Sequence, residues 1–271
     1  MGNKSMQPRP MSFLSQLNES MDPLEKKLQH VHHVPTFIKT VLLERFSPIV
    51  GIKFEFIDKG GDIRINWGTD DKGTWSYIGV DALLVPKYEH TMHFAWIDAF
   101  TVMHEVMHAL GFEHEHQNPT NNPIVFDEKK VYEYMESLGW TEKEIKANIT
   151  SRIQDENAYT TSFDIKSIML YKFDDEMLLS NTKLPFNITL SWLDIESIIE
   201  CYPGGKMSLH NMYNNIHQSS SQATNTHDIV DNTPVGDTKE EEIKENVSND
   251  NRNSRKLLHI GIAIGGALIL G

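Results

Sequence analysis

Apolar side chains at Phe37, Ile38, Val41, Leu42 and Phe46 recur at helical spacing through "PTFIKTVLLERFSPIVG", with Pro35 near the start, and predict a first helix over about 35–51. The period then shortens to two. "IKFEFI" (52–57) and "IRINW" (63–67) each put apolar residues on one side and flank the turn-rich connector "DKGGD"; "WSYIGV" (75–80) and "TMHFAWI" (91–97) read as two more strands. Helical periodicity returns from Ala99 to Leu110 and ends at Gly111, a residue free to adopt the left-handed conformation that closes a helix. Beyond it, "NPTNNP" (118–123) predicts a loop and "DEKKVYEYMESLG" (127–139) a helix closed by Gly139. "TEKEIKANITSRI" opens with Thr141 and Glu144 as a capping box, and Ser191 with Asp194 repeats that logic for a last helix that stops before Pro203 and Gly204.

After Gly205 the pattern is lost. Residues 206–254 are rich in Asn, Ser, Thr, Asp, Glu and His, with too little apolar surface to offset the entropy of ordering, so a disordered polar linker is expected. The run "LLHIGIAIGGALILG" (257–271) is apolar and follows Arg252, Arg255 and Lys256. As a helix it would reach about 22 Å against a hydrocarbon core of roughly 30 Å, a marginal span. The expectation drawn from it is a membrane anchor over 255–271, a transmembrane helix holding an otherwise cytosol-facing domain. The domain plan is then an N-terminal segment (1–34), a folded domain (35–205), the linker and the anchor.

Composition narrows the function classes. The chain has 271 residues, 39% of them hydrophobic, enough for a sizeable core, and a formal charge of −13 with dispersed Lys and Arg, which argues against nucleic acid as a partner. A single cysteine, Cys201, allows no intrachain disulfide, and "MGNKSMQPRPMSFLSQLNES" lacks the apolar run of a secretory signal, so a cytosolic setting is expected. In that setting the sequons at Asn18, Asn148, Asn187 and Asn246 carry no meaning, and "MGNKSM" lacks the sixth-position Ser or Thr of a myristoylation site.

The chemistry concentrates in "HEVMHALGFEH" (104–114). Residues four apart on a helix lie one above the other, so His104 and His108 can present both imidazoles to one metal ion. Glu105 points near that ion without having to bind it, as a base that deprotonates water must. Gly111 turns the chain so that His114 can return as a third ligand. Three nitrogens with one open position are the mark of a catalytic rather than a structural zinc site. His116, five residues past Gly111, is expected outside the ligand set.

With Phe112 and Glu115, this stretch resembles the zinc signature of the metzincin metalloendopeptidases, most closely the astacin branch. "SFDIKSIMLYKF" (162–173) resembles the astacin Met-turn, with Met169 under the zinc and Tyr171 two residues on; "LSWLDIESIIECYP" (190–203) resembles the closing helix of the same domain. The resemblance spans about residues 35–203 and implies an α+β fold. It would hold a twisted mixed N-terminal sheet, an active-site helix and a mostly helical or irregular C-terminal subdomain. It further implies Zn2+ as cofactor, protein or peptide substrates, Glu105 as the catalytic base and Tyr171 as stabiliser of the tetrahedral intermediate. "MHFAW" (92–96) resembles the edge strand on which extended substrate pairs in that family.

The chain also departs from the family. The disulfide cysteines are absent, "HQNPTNN" replaces the arginine-containing run that follows the third histidine, and no inhibitory pro-segment is recognisable in residues 1–34. In secreted astacins the glutamate matching Glu115 meets the mature N-terminus, so its partner here is open. The alternative to a zinc endopeptidase is a non-catalytic, membrane-tethered binding protein on a metzincin scaffold, against which an intact Glu105 speaks. A matrixin-like enzyme is disfavoured by Tyr171 and Glu115.

Overall fold

The computed structural model describes residues 4–7, 33–68, 73–155, 158–207 and 258–264. Helix α1 (Val34–Val41) carries proline in its first turn, where the missing N–H has no helical partner to lose. It buries Phe37, Ile38 and Val41 and continues as a π-helical turn through Leu42–Phe46. Six strands follow or flank it: β1 (Lys4–Gln7), β2 (Ile52–Ile57), β3 (Ile63–Trp67), β4 (Thr74–Tyr77), β5 (Met92–Phe94) and β6 (Leu258–Ile264). They form one mixed sheet in the order β1-β4-β5-β3-β6-β2. β4 runs antiparallel to both its neighbours, while β6 lies parallel to β2 and β3, and β3 parallel to β5.

Helix α2 (Ala99–Ala109) follows the sheet, then α3 (Glu128–Ser137), α4 (Glu142–Ile145), which runs on as a π-helical turn over Lys146–Thr150, and α5 (Trp192–Cys201). Both expected capping boxes are formed, Thr141 with Glu144 and Ser191 with Asp194. One core joins α1, β2, β3 and α2 through Ile38, Phe54, Ile65, Val102 and Val106, and takes in Ile168 and Met169 from a distant loop. A second core gathers Ile124, Val131, Ile145, Ile149 and Leu184 around Leu170, Tyr171 and Phe173. The chain therefore crosses from one core to the other between Met169 and Leu170. This is the α+β architecture expected, with sheet first and helical or irregular structure after α2.

Two expectations need correction. Met92–Phe94 is not the edge strand, because β4 and then β1 lie outside it. Alternating polarity reports which face of a strand is covered and carries no information about its neighbours in the sheet. The apolar run expected as a transmembrane helix instead contributes β6, and no helix among the described residues is long and apolar enough to cross a membrane. Its isoleucines fall at every second position, Ile260, Ile262 and Ile264, and β-branched residues at a period of two favour a pleated strand. Of the expected N-terminal segment only Lys4–Gln7, His33 and Val34 are described, and of the polar linker only Lys206 and Met207; the rest of both lies outside the described residues.

Candidate active site

Helix α2 is buried along nearly its whole length, an unusual place for two histidines and a glutamate. Asp98 caps it by accepting from the Thr101 amide at 2.8 Å. At the other end Gly111 takes φ +95, its amide donates to His108 O at 2.8 Å, and the Phe112 amide donates to Met107 O at 3.0 Å. That pair of bonds is a Schellman closure, and only glycine takes the left-handed position without strain. The turn has a second use, because it brings the Phe112 carbonyl back to the ring of His108, 2.7 Å from Nδ1.

A carbonyl can only accept, so His108 carries its proton on Nδ1; so does His104, whose Nδ1 lies 2.9 Å from Ile168 O. Their Nε2 atoms are then bare lone pairs, yet they sit 3.1 Å apart, and His108 Nε2 lies 3.1 Å from His114 Nε2 as well. His114 hydrogen-bonds the Gln117 side chain, whose amide nitrogen is committed to the carbonyls of Ala147 and Ser151, leaving its oxygen to accept. Each ring is thus oriented from behind, the arrangement that fixes metal-ligand tautomers. Burial pushes His104 down to about 4 and His108 and His114 well below the usual histidine range, so all three are neutral near pH 7.

Converging lone pairs repel unless a cation lies between them. Two nitrogens at about 2.0–2.1 Å from a tetrahedral zinc would be about 3.3 Å apart, close to the observed separation. Among the described residues these three histidines are the group whose ligand atoms fall within 4.8 Å of one another. Glu105 supports the same conclusion from the opposite charge. It is 1% exposed and among the described residues neither carboxylate oxygen has a hydrogen-bond partner; burial raises its pKa well above the usual range. A buried carboxylate is tolerated beside a cation, and the donor set fits zinc.

The loop carrying Met169 is tied to both the ligands and α5. Asp194, at the start of α5, accepts from Ser167 Oγ at 2.6 Å, from the Ile168 amide at 2.9 Å and from the Ser191 amide at 2.8 Å. The Ile168 carbonyl holds His104, and the Met169 carbonyl accepts from the Glu115 amide at 3.0 Å, one residue past His114. Tyr171 is buried, its ring 4.1 Å from that of His114 and stacked at 5.7 Å on His104. His116 is fully buried, and its Nε2 lies 2.9 Å from Asn148 O rather than among the three converging Nε2 atoms. Its ring stacks on both His114 and Tyr171 with centroids 5.0 Å away.

Sequence reasoning missed three contributions. Asp194 was legible as a helix cap but not as the anchor of the Met169 loop. Arg152 donates to the carbonyls of His116 and Ile124, supplying an arginine to the segment after the third histidine from an element elsewhere in the chain. Glu115 finds its partners in the Asp164 amide at 2.7 Å and Asn118 Nδ2 at 3.0 Å; it lines a cavity of about 360 Å³, and burial lifts it to about 7. Apart from Glu115 with Asn118, three residues apart, these pairings join residues distant in sequence, which no local pattern marks. The Asp194 network yields a prediction: Asp194→Asn, which cannot accept at both oxygens, is expected to weaken zinc affinity by about 10- to 100-fold. Titration of the apoprotein with zinc against a competing chelator measures it, and an unchanged affinity would refute the positioning role.

Rings that can only accept at their converging nitrogens, beside a buried carboxylate left over from the ligand set, define a metallopeptidase centre of the zinc type. The family model for astacin, a peptidase family, matches residues 38–185, and the chain belongs to that family. Among solved structures it is similar to myroilysin: one structure matches with a TM-score of 0.58 and 32% identity, covering 63% of this chain and 86% of the other. A crystal structure of myroilysin matches with a TM-score of 0.44 and 31% identity, over 62% and 79% of the two chains. No curated protein matches. The chain is thus an astacin-like zinc metalloendopeptidase, acting on protein or peptide substrates.

Proposed function

We propose that this chain hydrolyses internal peptide bonds with Glu105 as general base and Tyr171 as oxyanion stabiliser. His104, His108 and His114 would hold the zinc, which would supply the Lewis acidity that makes water a nucleophile near neutral pH. Glu105 accepts the proton of the attacking water and delivers it to the amine nitrogen as the peptide bond breaks. The Tyr171 hydroxyl donates to the carbonyl oxygen as it gains negative charge. Met169, whose backbone links the His114 side of the site to the loop held by Asp194, keeps the floor of the site fixed.

The observation that carries this reading is the buried carboxylate of Glu105, without a hydrogen-bond partner among the described residues and next in sequence to His104 on the helix that also carries His108. An uncompensated buried charge costs several kcal/mol, and a non-catalytic scaffold has no use for it. The test compares wild type with Tyr171→Phe on casein or gelatin at full zinc occupancy. The variant is expected to keep its zinc and KM while kcat falls about 10²- to 10³-fold. Equal kcat in the two would remove Tyr171 from the mechanism, and a zinc-loaded wild type with no cleavage would remove the peptidase.

A further inference from the structure

The sheet has a seam. β2 and β3 are joined by only Asp58–Asp62, and both run in the same direction, each parallel to β6. Two adjacent parallel strands need a crossover of a dozen or more residues to come into register. The short link cannot provide one. It instead leaves β3 starting level with the end of β2, since Ile57 is opposite Ala263 while Ile63 is opposite Ile262. Arg64 pins this stagger by donating to the Gly61 and Asp62 carbonyls. The inner edges of β2 and β3 are therefore left apart by one strand's width, each with peptide groups that only a strand between them can pair.

We propose that this gap is a built strand-insertion slot and that its occupant is the chain's own apolar segment, Leu258–Ile264, which completes the catalytic domain. Six positions pair along β2, from Ile52 opposite Leu258 to Ile57 opposite Ala263, and three along β3, from Ile63 opposite Ile262 to Ile65 opposite Ile264. The register matches polarity as well as length. Leu258 and Ile260 fall level with Ile52 and Phe54, the buried positions of β2, while His259 and Gly261 fall level with Lys53 and Glu55, the exposed ones. Alternation of large apolar residues with His259, Gly261 and Ala263 is the pattern of a strand in a sheet covered on one face, which accounts for composition otherwise suggestive of a membrane. Without β6, two edges would open in the bed on which Val102, Met103 and Val106 of the active-site helix pack. A segment held in this slot cannot at the same time cross a bilayer.

The inference does not depend on the peptidase reading, and the experiment needs no substrate. In the full-length chain carrying Cys201→Ser, cysteines are placed at a paired position, Glu55→Cys with Gly261→Cys. Paired Cα atoms about 5 Å apart are within disulfide reach, whereas Glu55→Cys with His259→Cys, off register at about 8 Å, is not. Mild oxidation is expected to link the first pair within one chain and to leave the second free. A chain ending at Asn253 is expected to melt about 10 °C lower or lose its cooperative transition. No link in the paired variant, a link only between chains, or an unchanged melting temperature on truncation would each overturn the proposal. In the first and last cases, retention of the full chain on membranes through a carbonate wash would return the segment to an anchor.

Discussion

Glu105→Gln is expected to bind zinc as wild type does and to lose about 10²- to 10⁴-fold in kcat, the range of a missing general base. The separation of the two effects follows from the site's construction. The three ligand nitrogens come from His104, His108 and His114, and their orienting partners are Ile168 O, Phe112 O and the Gln117 side chain; Glu105 touches none of these bonds. Glutamine has the same shape, and at 1% exposure its neutral amide replaces a carboxylate that has no hydrogen bond to lose. Stability measured in chelator should therefore equal or exceed that of wild type, because the amide removes a buried charge while leaving a polar group of the same size in the same surroundings. Zinc content, casein cleavage and thermal unfolding, measured on both proteins, distinguish lost chemistry from a lost fold. Full activity in Glu105→Gln would end the role assigned to that residue.

Much of the site could be read from the chain because its determinants are local. His104 and His108 are one helical turn apart, and Gly111 closes the helix that carries them, so spacing alone places both rings and the reversal toward His114. The capping boxes at Thr141 and Ser191 are legible for the same reason, since each is a bond between residues three apart. Local spacing does not reveal what a residue does in addition to its local task. Asp194 satisfies its helix end with one bond and anchors the Met169 loop with others to Ser167 and Ile168, across a sequence separation of 26 or 27 residues. Arg152 reaches 36 residues back to His116 O. Strand neighbours are subject to the same limit: the alternation in "MHFAW" is equally compatible with an edge or an interior position, and pairing puts Met92–Phe94 inside. The apolar run shows the limit most clearly. Fifteen residues without charge satisfy a short membrane helix and a buried parallel strand alike, and the choice turns on whether a vacant slot exists elsewhere in the fold.

Removing the central ligand should have a larger effect still, because it takes away metal, chemistry and stability together. His108 Nε2 lies 3.1 Å from both other ligand nitrogens, and its Nδ1 holds the Phe112 carbonyl in the turn that leads to His114. His108→Ala therefore leaves two imidazoles with no shared third partner and loosens the path of one of them. Zinc that binds the folded chain and not the unfolded one stabilises by RT ln(1 + [Zn]/Kd), about 4 kcal/mol at a thousandfold excess over Kd. For a domain of this size that corresponds to a melting temperature roughly 8–16 °C higher than in chelator. Wild type and Glu105→Gln are both expected to show this zinc-dependent rise, whereas His108→Ala should melt at one temperature with zinc or with chelator and cleave no casein. A zinc-dependent rise in His108→Ala equal to that of wild type would mean that the ion is held elsewhere, and the three-histidine site would have to be abandoned.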